Sequence, residues 1–71
     1  MTTVDARGLA CPLPLAMAKR AMQQVRRGEA LVVLATDPEA SIDLAAWAAD
    51  ESLIIEERSE PGWTEFTVSR S

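Results

Sequence analysis

One cysteine, Cys11, stands between a glycine-bearing loop and two prolines, in the run Arg7-Gly8-Leu9-Ala10-Cys11-Pro12-Leu13-Pro14. The 71 residues include no histidine and no tyrosine, which excludes a Ser-His or Cys-His pair within one chain. A single cysteine cannot close an internal disulfide, and without histidine it cannot build a tetrahedral nitrogen–sulfur zinc site. Covalent chemistry, if the chain performs any, belongs to Cys11. Proline suits the first turn of a helix, whose N–H groups lack intrahelical partners, so the pattern places Pro12 at the first helical position and Cys11 at the N-cap. The partial positive charge of a helix N-terminus favours thiolate, and Arg7 and Lys19 add cationic charge. Pro12 and Pro14 remove two N–H donors in return, so the expectation is a modestly lowered thiol pKa. The competing reading is a small buried hydrophobe, because free cysteines are among the most buried residue types.

The elements that would hold this thiol can be read from periodicity. Thr2 to Ala6 is a short strand with Val4 and Ala6 on one face. From Pro12 to Arg27 the spacing is helical: Leu13, Met17, Ala18, Ala21, Met22 and Val25 share one side, and Lys19, Arg20, Gln23, Arg26 and Arg27 the other. Gly28 ends this helix as its left-handed C′ residue. Ala30 to Ala35 is a continuous apolar run, predicted as a central strand buried on both faces. Asp37-Pro38-Glu39 opens a second helix, with Asp37 capping and a stripe of Ala40, Leu44, Trp47 and Ala48 running to Asp50. Ser52 to Arg58 and Trp63 to Ser69 alternate as strands around the turn Glu60-Pro61-Gly62, which makes them an antiparallel hairpin. The order β-α-β-α-β-β is α+β: a two-layer sandwich with a mixed four-stranded sheet and both helices on one face. Trp47 has core spacing, whereas Trp63, just after a turn, is the better contact residue.

Length, charge and hydropathy bound the rest. Seventy-one residues make one domain, residues 1–71, with a small stability margin. No apolar run approaches the roughly 18–20 residues of a membrane span, and the start lacks a signal-peptide pattern, so the expected compartment is the cytoplasm. The net charge of −4 divides unevenly, +4 over residues 1–27 and −8 over residues 28–71. That asymmetry suggests a basic surface facing an acidic partner, against the plainer reading of solvated helix and strand faces.

The run from Asp5 to Pro14, followed by Lys19, resembles the signature of the TusA family, also called SirA-like, whose mark is Cys-Pro-x-Pro at the start of the first helix. Asp37-Pro38, Asp43-Leu44 and Trp47 are similar to that family's second-helix pattern, and the likeness covers nearly the whole chain. The resemblance implies a fold like the C-terminal domain of a translation initiation factor. It also implies that Cys11 accepts sulfane sulfur as a persulfide and relays it to a partner protein, with no cofactor and no metal. The implied donor is a cysteine desulfurase or a rhodanese-like protein, and the implied acceptor is of the DsrE or TusD type. The end products implied across the family's branches include thiolated tRNA, molybdenum cofactor, sulfur oxidation, thiosulfate uptake and selenium metabolism. Many members carry Gly-His before the third strand, where this chain has Glu51-Ser52.

Within that frame Asp5, Gly8, Pro12 and Pro14 are structural support: Asp5 anchoring the loop through backbone hydrogen bonds, Gly8 permitting a turn. Arg7, Lys19 and Arg20 are candidates for electrostatic docking of partners or shielding of a persulfide anion. A lone cysteine suits a relay, because no neighbouring thiol can collapse the persulfide into a disulfide. A monomer is expected. Two other readings compete: a redox-sensing or regulatory protein–protein adaptor, and an RNA-binding module suggested by the basic helix face. The acidic balance and scarce aromatics weigh against direct nucleic-acid contact.

Overall fold

The computed structural model describes residues 2–70, in the order β1 (Thr2–Ala6), α1 (Leu13–Met22), β2 (Ala30–Ala35), α2 (Ala40–Asp50), β3 (Leu53–Glu60) and β4 (Trp63–Arg70). The sheet order is β1-β2-β4-β3. β1 runs parallel to β2, with Ala6 beside Ala35, and the other two pairings are antiparallel. The fold is therefore the α+β arrangement expected from the element order.

Strand alternation sorts side chains to two faces. Leu31, Val33 and Ala35 of β2 are buried, beside Ala6 of β1 and Phe66 and Val68 of β4. The β2 and β4 residues form one cluster with Ala18 and Met22 of α1 and with Ala40, Leu44 and Trp47 of α2, so both helices cover the same face. The opposite face of the sheet is open. That corrects the expectation for β2, which is interior in the strand order but alternates between buried and half-buried residues. Val32 and Leu34 raise the hydropathy of the run without having a second layer to pack against.

The first helix also differs from its sequence pattern. It ends at Met22 and not Arg27, and the chain then folds back so that Val25 enters the core while its N–H donates to the Met22 carbonyl. Gly28, at φ +92°, serves the turn after Arg26, whose N–H donates to the Glu29 side chain. The core-facing line is Pro14, Ala18 and Met22, about one position away from the Leu13–Met17 line that the spacing favoured, and Leu13 is half exposed. Arg70 closes the helix end, its Nε and Nη2 donating to the carbonyls of Val25 and Met22 at 3.2 and 2.9 Å. A cation there complements the negative helix terminus.

The second helix begins at Ala40 with Glu39 at its N-cap and no side-chain cap, so Asp37 lies two residues ahead of the capping position expected of it and instead organises the turn that leads in. Its Oδ1 accepts the Glu39 N–H at 2.8 Å and its carbonyl accepts the Ala40 N–H. Ala40, Leu44, Trp47 and Ala48 are buried, while Ile42 on the outer side is 70% exposed. The hairpin turns through Pro61 and Gly62, the latter at φ +84°, and Glu60 pairs with Trp63. That positive φ is the conformation glycine adopts without a steric cost.

Candidate functional site

Because β1 and β2 are parallel neighbours, the loops leaving their C-terminal ends emerge side by side. The ends of parallel strands are where open sheets place ligands and chemistry. The first loop carries Cys11 and the second carries Thr36 and Asp37. Thr36 Oγ1 accepts the Gly8 N–H at 2.9 Å, which ties the loops together where Gly8 turns at φ +83°. Upstream, Asp5 Oδ1 accepts the Arg7 N–H at 3.2 Å, and the Arg7 guanidinium makes two further hydrogen bonds to the same carboxylate, each 2.9 Å. Those hydrogen bonds hold the Asp5 carboxyl down to about 2. The guanidinium also lies over the Trp63 ring, 5.6 Å from its centre, within cation–π range.

Cys11 is half-buried and precedes the N-cap, which is Pro12; the peptide between them is cis. The sulfur therefore stands one residue outside the position the proline pattern indicated. Pro12 is exposed and its carbonyl accepts the Ala16 N–H, while Pro14 is buried in the first turn. Two carboxylates from the second loop and α2 hold the cysteine. Asp37 Oδ2 accepts the Cys11 N–H at 2.6 Å, and Asp43 Oδ2 accepts the Cys11 thiol, also at 2.6 Å. The Asp37 carboxyl is held below its ordinary value by the N–H groups of Glu39 and Cys11.

This arrangement reverses the expected effect on the thiol. The hydrogen bond to Asp43 stabilises the protonated form, partial burial penalises the charged form, and the negative charges of Asp43, Glu39 and Asp37 add to both. The Cys11 thiol is pushed up from 9.0 to about 11. The cations expected to oppose this do not reach the sulfur. Arg7 is paired with Asp5. Lys19, about 12 Å along the helix axis from Cys11, lines a cleft with Met22, Gln23, Trp47, Glu51 and Arg70. Arg20 sits with Lys19 in the last turn of α1, exposed to solvent.

The structure thus brings Asp5, Arg7, Gly8, Cys11, Pro12 and Pro14 to one end of the sheet and leaves Lys19 and Arg20 towards the other end of α1. Asp43 received no role from the sequence. Its signal was its position: it shares a side of α2 with Trp47, one turn later, at the edge of the buried stripe, where a carboxylate needs a partner. Among the described residues no cluster of three or more His, Cys, Asp or Glu has the form of a metal site. Nor, among the described residues, is any helix long and apolar enough to cross a membrane.

Residues 2–70 match the family described as sulfurtransferase TusA, and the chain belongs to that family. It is 36% identical to the sulfur carrier protein TusA of Allochromatium vinosum, over 96% of this chain and 91% of that protein. It is 41% identical to a putative sulfur carrier protein of Bacillus subtilis, over 83% of this chain and 79% of the other. The crystal structure of a SirA-like protein from Desulfitobacterium hafniense superposes with a TM-score of 0.85 at 27% identity, covering 96% of this chain and 95% of that one.

Proposed function

We propose that this protein is a sulfur carrier, in which Cys11 accepts sulfane sulfur as a persulfide and passes it to a second protein. The observation that carries the reading is the placement of the chain's one thiol: half-buried, on a loop braced by Thr36, Asp37 and Asp43, in a family whose members are named sulfur carriers. Relay of this kind is thiol exchange. A donor persulfide yields its outer sulfur to Cys11 and departs as a thiol, with no oxidant consumed. The proposed donor is a cysteine desulfurase or rhodanese-like protein, the proposed acceptor a DsrE-type protein, and the proposed setting a cytoplasmic monomer serving tRNA thiolation or a related sulfur pathway. Asp5, Gly8, Pro12 and Pro14 shape the loop in this reading. Arg7, Lys19 and Arg20 offer charge to docking partners.

The test is intact-protein mass spectrometry after incubation with a cysteine desulfurase and cysteine, and separately with a rhodanese and thiosulfate. A gain of sulfur that reductant reverses and Cys11→Ser abolishes supports the carrier reading. No gain from either donor refutes it and brings forward the redox-sensing adaptor.

A further inference from the structure

Loading sulfur onto Cys11 requires the thiol to lose its proton as it attacks, and the surroundings of the sulfur disfavour a free thiolate. Some group must take that proton. The chain has no histidine or tyrosine, and Arg7, Lys19 and Arg20 are cations unsuited to the task. Two carboxylates touch Cys11, and their hydrogen bonds separate their roles. Asp37 is fully engaged, one oxygen on the Cys11 N–H and the other on the Glu39 N–H, so it positions the loop. Asp43 makes its hydrogen bond with the thiol itself, at 2.6 Å, from a half-buried position on α2. A carboxylate oxygen within hydrogen-bond reach of the thiol is the geometry a general base requires.

We infer that Asp43 is the general base of sulfur loading, an inference that rests on the carrier reading. The Cys11 S–H bond breaks towards Asp43 Oδ2 while the sulfur attacks the outer sulfur of a protonated donor persulfide. A new S–S bond forms on Cys11, the donor's own S–S bond breaks, and its thiolate leaves with the bonding pair. The proton held by Asp43 is then released to that thiolate or to water. The net exchange converts one thiol and one persulfide into one persulfide and one thiol. No external oxidant or reductant takes part.

The test is single-turnover loading of the whole chain by glutathione persulfide, followed by intact mass at intervals from pH 6 to 8.5, each rate being divided by the fraction of the donor that is protonated at that pH. With the base built in, the wild-type rate stays nearly flat across this range. Asp43→Asn keeps the size and an acceptor oxygen but cannot take the proton. Its rate should climb by about tenfold per pH unit and fall at least about tenfold below wild type at pH 6.5, the low end of general-base contributions. Asp43→Glu should restore the flat profile, which a purely structural role would not require. Parallel profiles for wild type and Asp43→Asn overturn the inference while leaving the carrier reading intact. Failure of the wild type to load at all, with Cys11→Ser as control, overturns both.

Discussion

The Cys11 thiol should titrate far above an ordinary cysteine, and Asp43→Asn should bring it about halfway back or further. With the folded value near 11 and the unperturbed one at 9.0, the wild type carries about 1% thiolate at pH 9. Asp43 supplies the largest cause, the hydrogen bond, and part of the charge repulsion; Glu39 and Asp37 supply the remainder. Removing Asp43's charge moves the midpoint down by about one pH unit or more, which lifts the thiolate fraction at pH 9 to about 10% or above. Thiolate absorbance near 240 nm reads this directly, with Cys11→Ser as the blank. The stability effect has a fixed sign. A proton held more tightly by the folded than the unfolded chain stabilises the fold fully below pH 9, and that contribution is lost as pH rises from 9 through 11. Urea midpoints should therefore fall more steeply over this window for the wild type than for Asp43→Asn. A wild-type titration at or below pH 9 would refute the argument, because it would mean that the Sγ–Oδ2 contact does not hold the proton in solution.

Arg70→Ala removes two hydrogen bonds from a charged donor to the end of α1 and should cost about 1–2 kcal/mol, read as a melting temperature lowered by roughly 4–16 °C. Phe66→Ala, at a position 1% exposed in the centre of the core, should cost about 3–5 kcal/mol and leave much of this small domain unfolded at 37 °C, as circular dichroism would show. The Asp5–Arg7 pair contributes stability above pH 3.8 that is lost as pH falls through about 2. Asp5→Asn should flatten the acid limb of the unfolding curve in that interval, and an unchanged limb would count against the pairing.

The elements were legible because their signals are local. Proline-led helix starts at Pro12 and Asp37-Pro38, the branched run of β2 and the Pro61-Gly62 turn each announce themselves within a few residues. The errors arose where the answer depends on distant partners. Ending α1 at Met22 involves Arg70, 48 residues away, and leaving one face of β2 open depends on both helices choosing the same side. The site shows the same division. Cys11 stands out in the sequence by its type and its prolines. The direction of its pKa was misjudged because the groups that decide it, Asp37, Glu39 and Asp43, lie on the far side of β2 in sequence. They reach the sulfur only because two parallel strands end together.

The strand order has a consequence for how the chain is made. β2 lies between β1 and β4, and β4 supplies Phe66 and Val68 to the core and Arg70 to the end of α1. During synthesis from the N-terminus, β2 has only one of its two neighbours until residues 63–70 have left the ribosomal tunnel. The nascent chain up to β3 therefore lacks the centre of its own core, and its collapse into the native state waits until β4 has emerged. Force or protease probes on stalled chains should find this domain unfolded until β4 emerges, and then folded in a single step.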